Sequence, residues 1–275
     1  MGKMGLSLVH IRPHLVGDSP RAEVAVGGCY LGLHGVGHGG RVGGPRGLVR
    51  GYSRASRRRL MDLLNQLKRA SVVGAVFVTL TYPDCFPSGP ETWHRHLSSM
   101  LKRFGRRYPG TCIVWRLELV PRKSGHNLGV WAPHFHLLVL NVPRLSLEWL
   151  SESWYQVVGS GDPRHLRAGT SAQRARSFRA VSCYILKYCG KAQAEGFDGW
   201  TGRVWGVAGR GRLPRLLRLL VLTWRQFYLL RRILRAWVKH KSGWELRARY
   251  RGQGLTAYLP SDCCDRVLSF IVSQA

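Results

Sequence analysis

His134 and His136, two histidines separated by one residue, are the side chains of this chain best suited to binding a metal. They open an apolar run that continues to Leu140 and is typical of a buried strand. Side chains two positions apart in a strand project from the same face, so we expect the two imidazoles to lie side by side. Paired imidazoles on a rigid element form half of a divalent-metal site. The alternative is that both histidines are ordinary hydrogen-bonded residues of a sheet.

A second pair, His94 and His96, has the same spacing but lies in a segment that predicts a helix, residues 91–107. Two residues at that spacing differ by about 200° around a helix axis, so their rings diverge. We therefore expect this pair to be solvated and not to share a ligand.

Glu118 is isolated, because the chain has no other Asp or Glu between positions 92 and 147. It lies in a second strand-like apolar run, residues 112–120, where a carboxylate needs a partner. Arg116, on the same strand face, is one candidate partner. This strand directly precedes the histidine strand, and the two can pair. We therefore prefer the interpretation in which Glu118 faces the histidines and completes a metal site.

Tyr184 and Tyr188 follow an Ala- and Arg-rich stretch without proline, residues 171–181, which predicts a helix. Residues four apart share one helix face, and Lys187 and Lys191 have the same spacing as the tyrosines. A phenolic oxygen is a usable nucleophile for covalent catalysis. A nearby metal or lysine favours its ionised form. Core or interface packing is the alternative role for the tyrosine pair.

Three segments in order resemble the motifs of HUH endonucleases. They are Phe-Val-Thr-Leu-Thr-Tyr-Pro (77–83), Pro-His-Phe-His (133–136) and Tyr-x-x-Lys-Tyr-x-x-Lys (184–191). More closely, they resemble the two-tyrosine initiators of rolling-circle replication found in single-stranded DNA phages and small plasmids. An Arg-Val-Trp-Gly element (203–206) is also similar to that group. The resemblance covers roughly residues 51–212.

The resemblance implies a site-specific nickase for single-stranded DNA. A tyrosine attacks a DNA phosphate, leaving a 5′-phosphotyrosine bond and a free 3′-hydroxyl that primes synthesis. The implied ligands of a Mg²⁺ or Mn²⁺ ion are His134, His136 and Glu118. The implied nucleophiles and their accompanying cations are Tyr184, Tyr188, Lys187 and Lys191.

Two other functions stay open at this stage. A transposase or a conjugative relaxase would use the same chemistry, although relaxases usually carry the nucleophile near the N-terminus. A non-catalytic protein that binds single-stranded nucleic acid would explain the charge and the aromatic residues. That last interpretation leaves the clustering of histidines, glutamate and tyrosines to coincidence.

The charge balance favours a polyanionic partner. Forty-three Lys and Arg against fourteen Asp and Glu give a formal net charge of +29, and binding driven by such a charge weakens strongly with salt. Charge alone does not separate nucleic acid from a membrane surface or a ribosome, but the resemblance implies single-stranded DNA at a replication origin. The chain contains no Gly-x-x-x-x-Gly-Lys motif, so we expect a host helicase and polymerase as further partners.

The cysteines and the apolar segments indicate a compartment. Seven cysteines, two of them adjacent and none in a Cys-x-x-Cys motif, do not suit a disulfide framework. A reducing bacterial cytoplasm is the simplest setting. The first twelve residues lack the features of a secretory signal, and no uncharged apolar stretch reaches the length of about 20 residues that a membrane span requires.

The order of predicted elements indicates the fold class. Strands alternate with helices, and two strands follow each other without a helix between them, which predicts an α+β fold. We expect an antiparallel sheet of the split βαβ type, ferredoxin-like or RRM-like, with flanking helices. The predicted elements are a helix at 53–69, strands at 75–82, 112–120 and from 133, helices at 91–107 and 147–158, an extended piece near 164–168, and the tyrosine helix.

Composition divides the chain into three parts. Residues 1–52 include a segment with eleven glycines, 27–51, and are expected to be poorly ordered. Residues 53–212 form the predicted nickase domain. Residues 213–275 form a basic helical extension, in which 213–238 predicts one long helix that packs on that domain and presents arginines to DNA. A membrane-surface helix is the alternative for this segment. A final strand and helix follow at 256–259 and 262–272.

Overall fold

The computed structural model describes residues 21–25, 30–34, 52–176, 201–215, 217–242, 255–259 and 261–274. In chain order, the elements among these residues are β1 (Arg21–Ala25), β2 (Tyr30–His34), α1 (Arg54–Asn65), α2 (Arg69–Val72), β3 (Val76–Thr81), α3 (Pro90–Arg107), β4 (Cys112–Pro121), β5 (Trp131–Leu140), α4 (Leu147–Val158), α5 (Pro163–Ala168), β6 (Thr170–Arg174), β7 (Trp205–Ala208), a 3-10 turn (Arg210–Arg212), β8 (Leu217–Val221), α6 (Trp224–Ser242), β9 (Leu255–Tyr258) and α7 (Ser261–Val272).

These elements belong to two units. The larger unit takes its described residues from Arg46–Leu64 and Arg69–Pro214, and the smaller unit from Met1–Pro45, Asn65–Lys68 and Arg215–Ala275. The predicted boundaries at 52 and 212 lie close to the ends of the larger unit. The two terminal segments, which were expected to be separate, contribute to the same smaller unit.

A five-stranded sheet in the order β6-β3-β5-β4-β7 forms the centre of the larger unit. All four pairings are antiparallel, and β4 and β5 pair along their whole lengths as a hairpin. Helices flank this sheet. The predicted α+β fold with an antiparallel sheet is therefore confirmed.

The larger unit packs its apolar core on one face of that sheet. Alternate residues of β5, namely Phe135, Leu137 and Val139, are fully buried there together with alternate residues of β3 and β4. Helices α3 and α4 cover this face with their apolar sides. The helix residues buried in the core are Trp93, Leu97, Met100, Phe104, Leu150 and Trp154. Because strand side chains alternate, the residues between those of β5 must point to the opposite face.

Local signals in the sequence set the ends of the two covering helices. Pro90 occupies the first turn of α3, where its missing N–H is not needed. The hydroxyl of Ser146 accepts a hydrogen bond of 3.2 Å from the N–H of Trp149 and caps α4. Gly159 ends α4 with a φ of 64°, a left-handed conformation that favours glycine.

Two local predictions in the larger unit were wrong. The piece near 164–168 was expected to be extended, but Pro163–Ala168 is helical. Asp162 caps it by accepting a hydrogen bond of 2.8 Å from the N–H of Arg164, and Pro163 suits the first turn. The predicted helix was expected to include residues from 171 onward, but Thr170–Arg174 forms a strand against β3. Pairing with a distant strand overrides local helix propensity here.

The smaller unit contains a four-stranded antiparallel sheet in the order β8-β1-β2-β9, with helices α6 and α7. Its core joins Leu31 and Leu33 of β2 to one side of each helix. The helix residues buried in this core are Phe227, Leu230, Leu234, Cys264, Leu268 and Ile271. The expectation of a poorly ordered N-terminal segment is therefore wrong for β1 and β2.

The predicted single helix over 213–238 also differs from the structure. Leu217–Val221 forms strand β8 and pairs with β1, and the helix begins only at Trp224. Arg231, expected on a solvent face toward DNA, is buried, whereas Arg225 and Arg232 are exposed. None of the helices in the described ranges combines the length and apolar character needed to cross a bilayer.

Replacing Gly206 by alanine is expected to destabilise the larger unit. An added Cβ would lie 2.7 Å from Cζ2 of the buried Trp115 indole, its cross-strand neighbour. Overpacking of this kind costs roughly 1–3 kcal/mol in the free energy of unfolding, which urea denaturation measures. Gly105→Ala is the matched control, because nothing lies within 4 Å of its added Cβ. Equal effects of the two substitutions would contradict the packing argument.

Candidate active site

The two histidines of β5 project from the sheet face opposite the helical core. Their neighbour Phe135 is fully buried among the core residues, which confirms the predicted strand parity of His134 and His136. Strand β5 lies between β3 and β4. The register aligns His134 with Glu118 on β4 and with Thr81 on β3. One row of side chains across three strands therefore contains a hydroxyl, an imidazole and a carboxylate.

A threonine of β3 holds each imidazole by its Nδ1 atom. The Thr81 hydroxyl lies 3.3 Å from Nδ1 of His134, and the Thr79 hydroxyl lies 3.2 Å from Nδ1 of His136. Hydrogen bonds to one ring nitrogen orient a histidine and leave the other nitrogen for a ligand. The sequence signal for these threonines was their spacing of two, which matches that of the histidines. Both threonines belong to the 77–83 motif, which by itself did not predict their contacts with the histidines.

Glu118 contacts the second histidine directly. Its Oε2 atom lies 2.8 Å from Nε2 of His136, and both side chains are largely buried. His134 is its cross-strand partner on the same strand pair. The preferred interpretation placed this carboxylate beside the histidines, and the hydrogen bond to His136 agrees with that placement. Burial with a hydrogen-bonding partner removes the cost of leaving the carboxylate unpaired.

His134 is neutral at physiological pH. The pKa of its imidazole is lowered to about 4, mainly by burial and also by the neighbouring His136 and Arg122, while Glu118 opposes them. A neutral imidazole keeps the lone pair that a metal ligand needs, so no proton must leave His134 before it binds an ion.

These donors fit a divalent cation in their chemistry. Two imidazoles with one carboxylate suit Mn²⁺, and carboxylate oxygen suits Mg²⁺. Within the described residues, no three His, Cys, Asp or Glu side chains are grouped as ligands of one ion. Nε2 of His136 is engaged by Glu118 and must give up that hydrogen bond to bind a metal. The ligand set His134, His136 and Glu118 therefore stays a prediction.

Arg122 joins the end of β3 to the hairpin beside His134. Its guanidinium donates to the carbonyls of Tyr82 and Pro83 and, over 3.1 Å, to Oδ1 of Asp84. Asn127 of the same hairpin donates to the Asp84 carbonyl over 2.6 Å. The segment after β3 is thereby fixed next to the histidine row. The role of Arg122 was not predicted from the sequence, in which its position directly after the Glu118 strand was the one available signal.

A second arginine adds positive charge to the same sheet face. Arg116 is the cross-strand partner of His136 and is 4 % exposed. Its guanidinium carbon lies 4.7 Å from the centre of the Tyr52 ring. Trp205 of β7 donates to the Ser56 hydroxyl at 2.8 Å, which holds the start of α1 near this part of the sheet. Arg116 and Arg122 thus bring two cations to a face that carries one carboxylate.

The helical pair His94 and His96, expected to be solvated, is half-buried and hydrogen-bonded within the protein. Nε2 of His94 lies 3.0 Å from the Thr201 carbonyl, while Nδ1 of His96 lies 3.2 Å from the Tyr82 hydroxyl. The two rings contact different residues, as the predicted divergence requires. Both histidines have structural partners, which their spacing in the sequence did not reveal.

The predicted nucleophiles and their lysines lie outside the described residues. These are Tyr184, Tyr188, Lys187 and Lys191. Their assignment therefore rests on the sequence motif, and it stays a prediction.

Two relatives of this chain carry the name "Putative replication protein". One, from Xylella fastidiosa strain 9a5c, is 28% identical over 217 residues, which is 70% of each chain. The other, from strain Temecula1 of the same species, is 27% identical over 213 residues, which is 70% of this chain and 75% of the relative. No family model matches the chain, and no solved structure matches it. The chain is thus similar to proteins named for replication.

The lowered pKa of His134 predicts that the metal-free protein loses stability as the pH falls. The unfolded chain binds the proton at an ordinary histidine pKa, whereas the folded chain resists it down to about 4. The free energy of unfolding should therefore decrease from about pH 6.5 to pH 4, by up to about 3 kcal/mol from this residue. Urea denaturation in EDTA at several pH values measures the slope.

His134→Gln should flatten that dependence. His126→Gln is the control, since His126 is an exposed histidine of the β4–β5 hairpin. If wild type and the His134 variant lose stability in parallel, the lowered pKa is not a property of the folded protein.

Proposed function

We propose that this chain initiates rolling-circle replication of a plasmid or phage by nicking single-stranded DNA at the origin. The observation that carries the proposal is the histidine row on the sheet face opposite the helical core. His134 and His136 project together, each is oriented by a threonine, and Glu118 adjoins them. The ordered motifs in the sequence and the names of the two Xylella relatives support the same role.

The proposed reaction transfers a phosphoryl group from DNA to tyrosine. The phenolic oxygen of Tyr184 or Tyr188 attacks the phosphorus and loses its proton, and the bond from phosphorus to the 3′ oxygen breaks. The leaving oxygen takes a proton and becomes the 3′-hydroxyl primer. One phosphoester bond replaces another, so no nucleotide is consumed and the step can be reversed to rejoin a strand.

Residues of the chain supply the remaining requirements. Neutral His134, together with His136 and Glu118, would hold Mg²⁺ or Mn²⁺. A bound divalent ion neutralises negative charge on the non-bridging phosphate oxygens. Lys187 and Lys191 would stabilise the phenolate, because a nearby cation lowers the pKa of a phenol.

The charge of the chain suits the proposed substrate. A formal net charge of +29 favours DNA over neutral or cationic partners and accelerates encounter with it. Arg116 and Arg122 bring some of that charge to the histidine face. Separation of the duplex would require a host helicase, and extension of the 3′ end a host polymerase.

A non-catalytic single-stranded DNA binder is the second candidate, and one observation favours it. The hydrogen bond that Glu118 accepts from His136 satisfies both groups without any ion. A binder would retain DNA affinity but form no covalent product. Covalent transfer of a 3′-labelled oligonucleotide to the protein separates the two, because the 3′ fragment is the one that a tyrosine nucleophile retains.

Replacing both histidines by alanine is expected to abolish nicking and to preserve most DNA binding. Loss of two donors to a catalytic ion should slow adduct formation by roughly 100-fold or more. Affinity driven by phosphate contacts should stay within about threefold. The rate of nicking is measured by adduct formation on oligonucleotides tiled across the replicon. DNA affinity is measured by fluorescence anisotropy.

The control replaces two exposed histidines, His126 and His240, by alanine and should leave both quantities unchanged. Nicking that survives in the His134/His136 double variant would move the site elsewhere on the molecule.

Tyrosine replacement tests the proposed nucleophiles. If Tyr184 and Tyr188 share the role, each single phenylalanine variant should still form the adduct and the double variant should form none. In the helix that the sequence predicts, residues four apart would be separated by about 6 Å along the axis, so each phenol could reach one phosphate after a modest adjustment. Denaturing electrophoresis with origin-containing single-stranded DNA measures the adduct. Tyr228→Phe, at an exposed tyrosine of α6, is the control.

An adduct that persists in the double variant would show that the segment with Tyr184 and Tyr188 does not supply the nucleophile. Loss of the adduct in one single variant alone would assign initiation to that tyrosine. We favour Tyr184 for this role, because the spacing Tyr-x-x-Lys to Lys187 also accompanies the nucleophile in one-tyrosine relatives of the family it resembles.

A further inference from the structure

Three arginines line an open cavity on the outer side of the helical layer. The cavity has a volume of about 430 Å³ and lies between the C-terminal part of α3 and helix α4. Arg103, Arg106 and Arg107 line it together with Trp149 and Ser153. Its size falls in the range of ligand sites, about 300–1,000 Å³.

The arginines converge because of their spacing. Positions 103, 106 and 107 are related by three and four residues, so their side chains share one side of α3. Arg103 is held in place by a hydrogen bond of 2.7 Å to Oε1 of Gln156 on α4. Arg106 and Arg107 are exposed. Among the residues described, no carboxylate forms an ion pair with any of the three, including the exposed Glu148 and Glu152 of α4.

An aromatic ring forms part of the cavity wall. Trp149 is half-buried, and its indole packs edge-to-face against Phe104 at 5.0 Å and against Tyr108 at 5.2 Å between ring centres. These contacts fix the ring while part of it faces the cavity. A fixed indole beside guanidinium groups is the arrangement that binds an unpaired base and its phosphates.

Helix electrostatics alone does not explain this arrangement. Cations near the C-terminus of α3 are favourable for the helix dipole, which accounts for basic residues at its end. It does not account for three like charges directed at one cavity that also contains an indole and a buried hydroxyl. Because the three guanidinium groups repel one another, an anionic ligand would relieve that repulsion.

The cavity is separate from the histidine row. Helices α3 and α4 cover the sheet face that carries Phe135, whereas His134 and His136 lie on the other face. The sheet and the helical layer therefore stand between the two places. A ligand in the cavity contacts neither the histidines nor Glu118.

We propose that this cavity is a second single-stranded DNA site, distinct from the nicking face. Arg103, Arg106 and Arg107 bind consecutive phosphates, and a base stacks on the exposed part of Trp149. The site holds a neighbouring segment of the strand while another segment occupies the histidine face. This inference rests on DNA binding by the chain and does not require that the chain nicks DNA. A negative result at the cavity can therefore be distinguished from a negative result for nicking.

The test compares two triple variants of the full chain in the Tyr184→Phe, Tyr188→Phe background. One replaces Arg103, Arg106 and Arg107 by glutamine. The matched control removes the same charge at three exposed arginines of the same unit, Arg144, Arg164 and Arg167. Binding of a labelled 30-nucleotide oligo(dT) is measured in EDTA at several salt concentrations, so metal and cleavage play no part.

The cavity variant should lose about 10- to 100-fold in affinity near physiological salt. Its log–log salt slope should fall by about 2, since three contacts to single-stranded DNA release about 0.7 ion each. The control should change by less than threefold. Equal losses in the two triple variants, or an unchanged slope in the cavity variant, would overturn the proposal.

Photocrosslinking locates the contact independently of affinity. An oligonucleotide with 5-bromodeoxyuridine in place of thymidine should crosslink to Trp149, as identified by peptide mass spectrometry. The crosslink should disappear in the cavity variant and persist in the control. Thermal unfolding of both variants within about 2 °C of the parent excludes misfolding as the cause. No crosslink at Trp149 in the parent, or tenfold tighter binding of oligo(U), would contradict the assignment to single-stranded DNA.

Discussion

The site depends on the antiparallel register of β5 with its two neighbours. Residues Phe135, Leu137 and Val139 are fully buried on one sheet face, and each contributes about 1.5–3 kcal/mol by leaving water. A slip of one residue would move all of them to the opposite face and place the histidines against the helical core. Apolar packing on the far side of the sheet thus fixes the positions of the imidazoles. The row from Thr81 through His134 to Glu118 follows from that register.

Electrostatic balance is the second constraint on this face. The five strands of this sheet contain a single carboxylate, Glu118. Glu118 is hydrogen-bonded to His136, and Arg122 forms an ion pair with Asp84 just after β3. Burial keeps His134 neutral, so only the arginines remain as fixed cations beside it. A face with fixed positive charge and a neutral His134 suits a phosphate better than it suits a second carboxylate.

The spacing of apolar residues, every second position in strands and every third or fourth in helices, predicted the elements whose structure depends on residues nearby in the chain. The hairpin of β4 and β5, helices α3 and α4, and the shared face of His134 and His136 follow from such patterns. Strand β8 did not, because it pairs with β1 almost 200 residues earlier in the chain. The spacing of leucines within 213–238 carries no information about a strand partner so far away in the chain. The threonine contacts to the histidines were equally hidden, since they depend on which strand adjoins β5.

The sheet separates stability from chemistry. One face is committed to the helical core, where Trp154 and Phe135 are fully buried, and its residues have little freedom to change. The polar side chains of the histidine row lie on the other face and outside that helical core, so their substitution should affect ligands more than the packing of that core. The same separation leaves the outer surface of α3 and α4 free to acquire charge without disturbing the sheet. Two independent sets of contacts with one polyanion can therefore coexist in a unit of modest size.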